Sequence, residues 1–310
     1  MSPSFSHYRK RLRKRARNRC ERDLHDSGWY APQLRSGMEA VFIGGCGRSG
    51  TTLFKELMNR HSRCACGPET SLYGLPFNIE NIAAPWGINL EHLEKMRMDS
   101  SSLIDFADRF AHEFLKHEGK ERWVEKTPNN VRVINRLLSW YPEAKFIHVV
   151  RDGRDVMCSL RNHPKQRVVH GKIEPVHTVN PPAKSAARWL EDTMRGLAFK
   201  DHPRCIEVRY ESLVNDPEAV IRRVCSFIGE DYEPAMLVPA EATSERAGQN
   251  LNNETASAPI SSKSVGRWQQ DLSRQEREVF IDIAGELLIA LGYAKNHSWI
   301  DASEGVHDAK

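Results

Sequence analysis

Short apolar runs alternate along this chain with longer stretches in which apolar residues recur every three or four positions. The runs have the length and composition of buried strands, and they lie near residues 41–45, 122–125, 145–150 and 204–209. Helical spacing occurs near residues 51–61, 101–117, 129–139, 153–161, 182–199, 216–228 and 273–291. Such alternation favours an α/β fold in which helices cover both faces of a central parallel sheet. We therefore predict one α/β domain over residues 27–296.

The run from Val41 to Ile43 leads into a glycine-rich loop whose spacing suits a bound phosphate. Four glycines lie between positions 44 and 50, and hydroxyl residues follow at the start of a predicted helix. Backbone N–H groups and the positive end of a helix dipole favour an anion at such a place. The sequence therefore predicts a P-loop-like phosphate cradle formed by Arg48, Ser49, Gly50, Thr51 and Thr52.

This loop differs at one position from the nucleoside-triphosphatase pattern G-x-x-x-x-G-K-[ST]. Laid on Gly45 to Thr52, the pattern fits except that Thr51 replaces the lysine. In a triphosphatase that lysine reaches the β- and γ-phosphates. A loop that carries Arg48 as its cation instead suits a 5′-phosphate group without a γ-phosphoryl.

A second candidate anion site follows the apolar run Lys145–Val150. Arg151 comes directly after the run, and Ser159 lies eight residues later. That separation is about two turns of a helix, so both side chains could face one anion. The plainer alternative is a strand–turn–helix with solvated arginines, since arginine is usually exposed.

Together, these two segments resemble the 5′-phosphosulfate loop and the 3′-phosphate site of sulfotransferases that use 3′-phosphoadenosine 5′-phosphosulfate. Residues 48–52 are similar to the first, and residues 151–159 are similar to the second. The likeness is to the Golgi-type and bacterial branch, which includes protein-tyrosine sulfotransferases, and it extends over roughly residues 40–292. It implies transfer of a sulfuryl group to an acceptor hydroxyl of a peptide tyrosine, a sugar or a small metabolite.

The resemblance also implies roles for single residues. Glu69 matches the catalytic glutamate of the family and is the expected general base, with Glu125 as the second candidate. Lys126 matches the catalytic lysine, and we expect it to stabilise the departing phosphate together with Arg48. The expected contacts to the nucleotide are Arg48, Ser49, Gly50, Thr51, Thr52, Arg151, Ser159, Tyr210, Lys263 and Arg267.

One position departs from the family pattern at the 3′-phosphate site. An arginine four residues after the serine often completes that site in the family, but here the position is His163, with Arg161 nearby. Either His163 or Arg161 is therefore the candidate for the third contact to the 3′-phosphate. No metal site is predicted, because the histidines and cysteines lack ligand spacing.

The ends of the predicted strands and two irregular stretches suggest where ligands bind. Arg48, Lys126, Arg151 and Tyr210 each follow a different apolar run, so in one parallel sheet they would share one edge. Residues 162–182 contain three histidines and four prolines without periodicity, and we interpret them as a lid on the acceptor side. Residues 240–264 are interpreted as a flap over the nucleotide. Simple surface loops are the alternative for both.

Charge is concentrated at the N-terminus. Residues 1–22 carry nine Lys and Arg against one acidic residue, whereas the rest of the chain carries 36 against 40. We expect a disordered basic arm over residues 1–26, and a flexible tail over residues 297–310. Weak contact of residues 9–22 with an anionic surface and a homodimer are kept as further expectations about partners.

Composition favours a cytoplasmic protein. No run approaches the ~20 apolar residues of a membrane-spanning helix, and no apolar segment of a secretory signal follows the arm. Seven cysteines form no C-x-x-C pair, which is typical of reduced thiols. Golgi members of the family carry an N-terminal membrane anchor, so we expect either a soluble, bacterial-type member or an anchor outside this sequence.

Two other function classes remain at this point. One is a P-loop kinase or triphosphatase with a degenerate loop. Thr51 counts against it, as does Asp152, a poor magnesium ligand between Arg151 and Arg154. The other is a non-enzymatic protein that binds anions or nucleic acid through the basic arm.

Overall fold

The computed structural model describes residues 28–30, 34–74, 78–161, 165–169, 172–176, 179–238 and 260–301. Its strands are β1 (Val41–Gly44), β2 (Cys64–Ala65), β3 (Arg122–Lys126), β4 (Lys145–Val150), β5 (Lys165–Val169), β6 (Lys172–Val176) and β7 (Cys205–Arg209). Five of them form one parallel sheet in the order β2-β3-β1-β4-β7. The predicted central parallel sheet is thus confirmed. Strand β2 escaped prediction because two residues are too few to show a pattern.

The described helices are α1 (Thr51–Asn59), α2 (Glu80–Trp86), α3 (Leu90–Met98), α4 (Leu103–Glu118), α5 (Ile134–Trp140), α6 (Gly153–Arg161), α7 (Pro182–Leu197), α8 (Tyr210–Asn215), α9 (Pro217–Ile228), α10 (Trp268–Asp271) and α11 (Arg274–Ala290). Three 3₁₀ helices span Pro128–Arg132, Pro234–Leu237 and His297–Asp301. Most were expected from their spacing, but α2, α3 and the short helices α8 and α10 were not. Pro85 inside α2 and the weak periodicity of α3 hid these two from the pattern.

Alternating side chains of the strands face two separate cores. On strand β1, Phe42 packs with the aromatic residues of one core, to which helices α4 and α5 contribute. Its neighbours Val41 and Ile43 pack with the other core, against helices α1 and α9. Because both faces are buried, β1 is apolar throughout and β4 is apolar except at Lys145 and His148. Helices on both faces of the sheet, within a single domain, are therefore confirmed.

Residues 162–182, expected to be irregular, contain a two-stranded antiparallel hairpin. Strands β5 and β6 pair from Lys165 opposite Val176 to Val169 opposite Lys172. Pro175 lies within β6, where proline is tolerated because a two-stranded ribbon leaves one side of each strand unpaired. The prolines and charged residues of this stretch hid the alternation that would have predicted strands.

A third core lies beyond the end of β4, between helices α6, α7 and α11. The 3₁₀ helix His297–Asp301 extends it, because Trp299 packs edge-on against Trp268 at 5.3 Å between ring centroids. The folded chain therefore continues to Asp301. The expected basic arm, residues 302–310, residue 163 and most of the expected 240–264 flap lie outside the described residues. Among the helices that are described, none combines the length and the apolar character needed to cross a membrane.

Candidate active site

Four residues expected in the site lie at the carboxyl edge of the sheet. Lys126 is the last residue of β3, and Arg48 follows β1 in the glycine-rich loop. Arg151 follows β4, and Tyr210 follows β7 as the first residue of α8. Since β3, β1, β4 and β7 are neighbours in this order, the edge carries these residues side by side. The carboxyl edge is where open α/β sheets bind their ligands.

The loop has the backbone of a phosphate cradle. Gly50 has a φ of 90°, and a Cβ built on it would overlap the ring of Tyr210, so glycine is required there. Helix α1 begins at Thr51, which directs its first N–H groups toward the loop. The Ser49 hydroxyl is buried and has no hydrogen-bond partner among the described residues. These features fit an anion that would accept from the hydroxyl and the backbone.

The two predicted phosphate-binding segments touch each other directly. Arg48 Nε donates a hydrogen bond of 2.9 Å to Ser159 Oγ across 111 residues of sequence. Arg48 also has a φ of 75°, an uncommon value for a residue with a side chain. Burial, followed by the charge of Arg151, lowers the pKa of the Arg48 guanidinium. An anion between the two segments would offset both effects.

Arg151 connects the loop to residues 261–268, which we call the late segment. It is 6% exposed, and it donates to the Arg48 carbonyl at 3.1 Å and to the Ser264 carbonyl at 2.6 Å. Its guanidinium lies 4.4 Å from the centroid of the Tyr210 ring. Tyr210 in turn shares a 2.7 Å hydrogen bond with Ser264 Oγ. Sequence reasoning missed Ser264, because a serine in a serine-rich segment carries no pattern of its own.

The late segment is anchored by Asp155 rather than by its own cations. Asp155 accepts hydrogen bonds from the backbone N–H groups of Gly266 at 2.8 Å and Trp268 at 3.0 Å, and burial raises the pKa of this carboxyl. Of the two cations expected there, Arg267 pairs with Asp271 at 2.5 Å. The side chain of Lys263 is exposed. Neither joins the group around Arg151 in this structure.

The predicted catalytic pair is present as an ion pair. Lys126 Nζ lies 2.5 Å from Glu69 Oε1, although the two residues are 57 positions apart. Lys126 is 4% exposed and Glu69 is 48% exposed. The lysine is therefore held rigidly at the end of β3, while the glutamate reaches the solvent-facing side of the site.

Glu125, the second candidate base, is enclosed by donors. It is buried and accepts hydrogen bonds of 2.7 Å from the hydroxyls of Thr70 and Thr127, and another from the Asn130 amide. Burial raises the pKa of this carboxyl, whereas its hydrogen bonds oppose that shift. Glu125 thereby ties the segment that carries Glu69 to strand β3.

The third contact to the 3′-phosphate is not identified by the geometry. Arg161 pairs with Glu276 at 2.8 Å, which turns its guanidinium toward helix α11. His163 lies outside the described residues. The choice between these two residues therefore stays a prediction.

The sequence of this chain is similar to those of known sulfotransferases. The family model described as "Sulfotransferase family" matches residues 40–234. Nodulation protein NoeE of Sinorhizobium fredii is 30% identical over 282 residues, covering 82% of this chain and 66% of NoeE. The protein-tyrosine sulfotransferase of Drosophila melanogaster is 25% identical over 287 residues, covering 89% of this chain and 56% of that protein. The chain thus spans less than two thirds of the length of both relatives.

A solved structure shows the same fold. The sulfotransferase domain of the Synechococcus PCC 7002 olefin synthase superposes with a TM-score of 0.59 at 21% identity, covering 84% of this chain and 98% of that one. At this identity the likeness concerns the architecture of the chain. It agrees with the central parallel sheet and the helices around it.

Proposed function

Since this chain belongs to the sulfotransferase family, we propose that it transfers a sulfuryl group from 3′-phosphoadenosine 5′-phosphosulfate to an acceptor hydroxyl. The resemblance drawn from the two phosphate motifs is confirmed at the level of the family. The observation that carries the proposal is the direct contact between those motifs, through Arg48 and Ser159, at one edge of the sheet. A single nucleotide with phosphates at both ends of its ribose can engage both.

The donor would lie along that edge in one orientation. The buried Ser49 hydroxyl, Arg48 and the first N–H groups of α1 would hold the 5′-phosphate. Arg151 and Ser159 would hold the 3′-phosphate, a group that ATP lacks. Tyr210 packs on the Arg151 guanidinium and would orient it. The sulfuryl group would then extend from the loop toward Lys126.

The reaction needs an in-line displacement at sulfur. The acceptor oxygen forms a bond to sulfur, the bond from sulfur to the 5′-phosphate oxygen breaks, and the acceptor proton passes to Glu69. Negative charge grows on the departing phosphate oxygen, where Lys126 and Arg48 stabilise it. Fixed donors at such a position are each worth about 3–4 kcal/mol, and positioning of the reactants contributes up to about 7–11 kcal/mol.

The pairing of Glu69 with Lys126 suggests how acid and base roles are divided. In this structure the buried ammonium is neutralised by the half-exposed carboxylate. A departing phosphate oxygen next to Lys126 would take over that role and leave Glu69 available to accept the acceptor proton. The same lysine would therefore link donor binding to activation of the base.

The acceptor and the partners are narrower proposals. A relative named as a protein-tyrosine sulfotransferase makes a peptide tyrosine one acceptor to test. Sugar hydroxyls and small metabolites are the others. A homodimer, a contact of residues 9–22 with an anionic surface and a cytoplasmic location stay predictions from the sequence. Incubation with labelled donor and a panel of such acceptors would identify the substrate class.

A thermal-shift comparison tests the proposed donor against the kinase alternative. We expect adenosine 3′,5′-bisphosphate, the product left by the donor, to raise the melting temperature more than ATP with magnesium. Deletion of residues 1–22 should leave this shift unchanged, because the proposed site contains none of them. Stabilisation by ATP with magnesium alone would contradict sulfuryl transfer. Loss of the shift with the arm would support the non-enzymatic alternative.

A further inference from the structure

Two arginines beside the phosphate loop share one buried carboxylate. Asp192 on helix α7 is fully buried, with Oδ1 2.6 Å from Arg132 Nε and Oδ2 3.5 Å from Arg188 Nε. The arginine side chains are 38% and 37% exposed, so each guanidinium extends from the buried carboxylate toward the surface. One carboxylate balances one guanidinium, and the group therefore carries a net charge of about +1.

Arg188 lies against the loop itself. A Cβ built on Gly47 would stand 3.0 Å from Arg188 Nη2, closer than side chains usually approach. The missing side chain at position 47 thus lets a guanidinium rest on the backbone next to Arg48. The other arginine ends the 3₁₀ helix Pro128–Arg132, which begins two residues after Lys126. The Gly45 N–H donates to the Pro128 carbonyl at 3.0 Å, which ties this helix to the loop.

The terminal nitrogens of the two guanidiniums are available for a ligand. Both arginines use Nε to reach Asp192. Among the described residues, no partner accepts from the terminal nitrogens of either side chain. A guanidinium whose Nε contacts Asp192 presents its remaining donors as a planar fork that suits an oxyanion.

We infer that Arg132 and Arg188, oriented by Asp192, form an anion subsite beside Gly47 that binds a sulfate-like oxyanion. This inference rests on the proposed function. The oxyanion is either the sulfuryl group of the donor or an anionic group carried by the acceptor. The recognition chemistry is the same for both, since each presents several oxygens to the same pair of guanidiniums.

The first experiment measures the subsite without any acceptor. The protein is saturated with adenosine 3′,5′-bisphosphate and titrated with sodium sulfate at constant ionic strength by isothermal calorimetry. Arg188→Met is compared with Arg195→Met, a control on the same helix whose guanidinium pairs with Glu191 at the surface. We expect Arg188→Met to weaken sulfate binding at least about tenfold, as for loss of a charge-assisted hydrogen bond. The control should match the wild type.

The second experiment distinguishes the two sources of the oxyanion. A roughly tenfold weaker affinity of Arg188→Met for the phosphosulfate donor, with unchanged affinity for the bisphosphate, assigns the subsite to the sulfuryl group. Unchanged donor affinity with lost sulfate binding assigns it to an acceptor anion. Arg132→Met is a second variant with the same expectation, and it decides the question if Arg188→Met does not fold.

Two results would overturn the inference. One is sulfate binding of equal affinity by the wild type, Arg188→Met and Arg132→Met. The other is the absence of sulfate binding by the bisphosphate complex of the wild type. Failure of the wild type to bind the bisphosphate is a separate outcome, because it would contradict the proposed function itself.

Discussion

Replacement of Arg151 by methionine tests whether this residue binds the 3′-phosphate or only holds the surrounding loops in place. Arg151→Met keeps much of the apolar stem but removes the guanidinium, together with its contact with the Tyr210 ring. The Arg151 Nε is buried without a partner among the described residues, while its terminal nitrogens bind the carbonyls of Arg48 and Ser264. The Nε–H is therefore available to a phosphate, whereas one N–H of each terminal nitrogen holds a loop in place.

The expected size of the effect follows from this division. A hydrogen bond to a charged group contributes about 1.5–3 kcal/mol, so loss of the 3′-phosphate contact should weaken bisphosphate binding by about 2 kcal/mol, or about 30-fold. Adenosine 5′-monophosphate lacks the 3′-phosphate and should lose less than about 1 kcal/mol, from loosening of the loops. The variant should thus lose most of the preference for the bisphosphate.

Calorimetric titration of wild type and variant with both nucleotides measures this preference directly. Arg209→Met serves as the control, since Arg209 lies at the end of β7 next to Tyr210 but pairs with Glu207 and the Leu291 carbonyl. It should behave as the wild type. An equal loss for both nucleotides in Arg151→Met would show that Arg151 only orders the loops, and the assigned 3′-phosphate site would be wrong.

Four further changes test other parts of the account. Glu69→Gln and Lys126→Met should each lower turnover about 100-fold or more, with little change in bisphosphate affinity. Near-wild-type rates of sulfuryl transfer, measured as bisphosphate formed over time, would contradict their roles. Gly50→Ala should weaken bisphosphate binding at least about tenfold, because its Cβ would overlap the Tyr210 ring; titration showing equal affinity would refute this. Burial lowers the pKa of His148 from 6.5 to about 4, and the unfolded chain takes up this proton first as the pH falls. Between pH 7 and pH 4 the wild type should therefore lose about 3 kcal/mol more unfolding free energy than His148→Asn. An equal loss for both proteins, measured by urea denaturation at the two pH values, would contradict this expectation.

The central sheet could be predicted because its strands are buried on both faces. Such strands form largely apolar runs, as in β1 and β4, and these stand out from amphipathic helices. The residue after each run then falls at the carboxyl edge by geometry alone. That is why Arg48, Lys126, Arg151 and Tyr210 could be grouped from the sequence alone.

Contacts between distant segments could not be predicted in the same way. The pairing of Lys126 with Glu69 depends on how the segment after β2 crosses the end of β3. Asp192 and its two arginines come from a helix and a 3₁₀ helix that share no local motif. The partners of a buried charge depend on packing, which is decided by the whole fold and leaves little trace in local spacing.

Which residues of the late segment contact the site could not be predicted from its sequence either. Lys263 and Arg267 were expected to face the nucleotide because they are the cations of that stretch. The structure instead brings Ser264 to Arg151 and Tyr210, and it anchors the backbone on Asp155. A hydroxyl and a backbone carbonyl carry no charge that sequence reasoning can follow.

A crystal structure with adenosine 3′,5′-bisphosphate is the most direct test of the central claim. We expect the 5′-phosphate on Ser49 and the first N–H groups of helix α1, and the 3′-phosphate of the same nucleotide on Arg151 and Ser159. A nucleotide bound elsewhere, or one that engages the loop while its 3′-phosphate points away from Arg151, would contradict it.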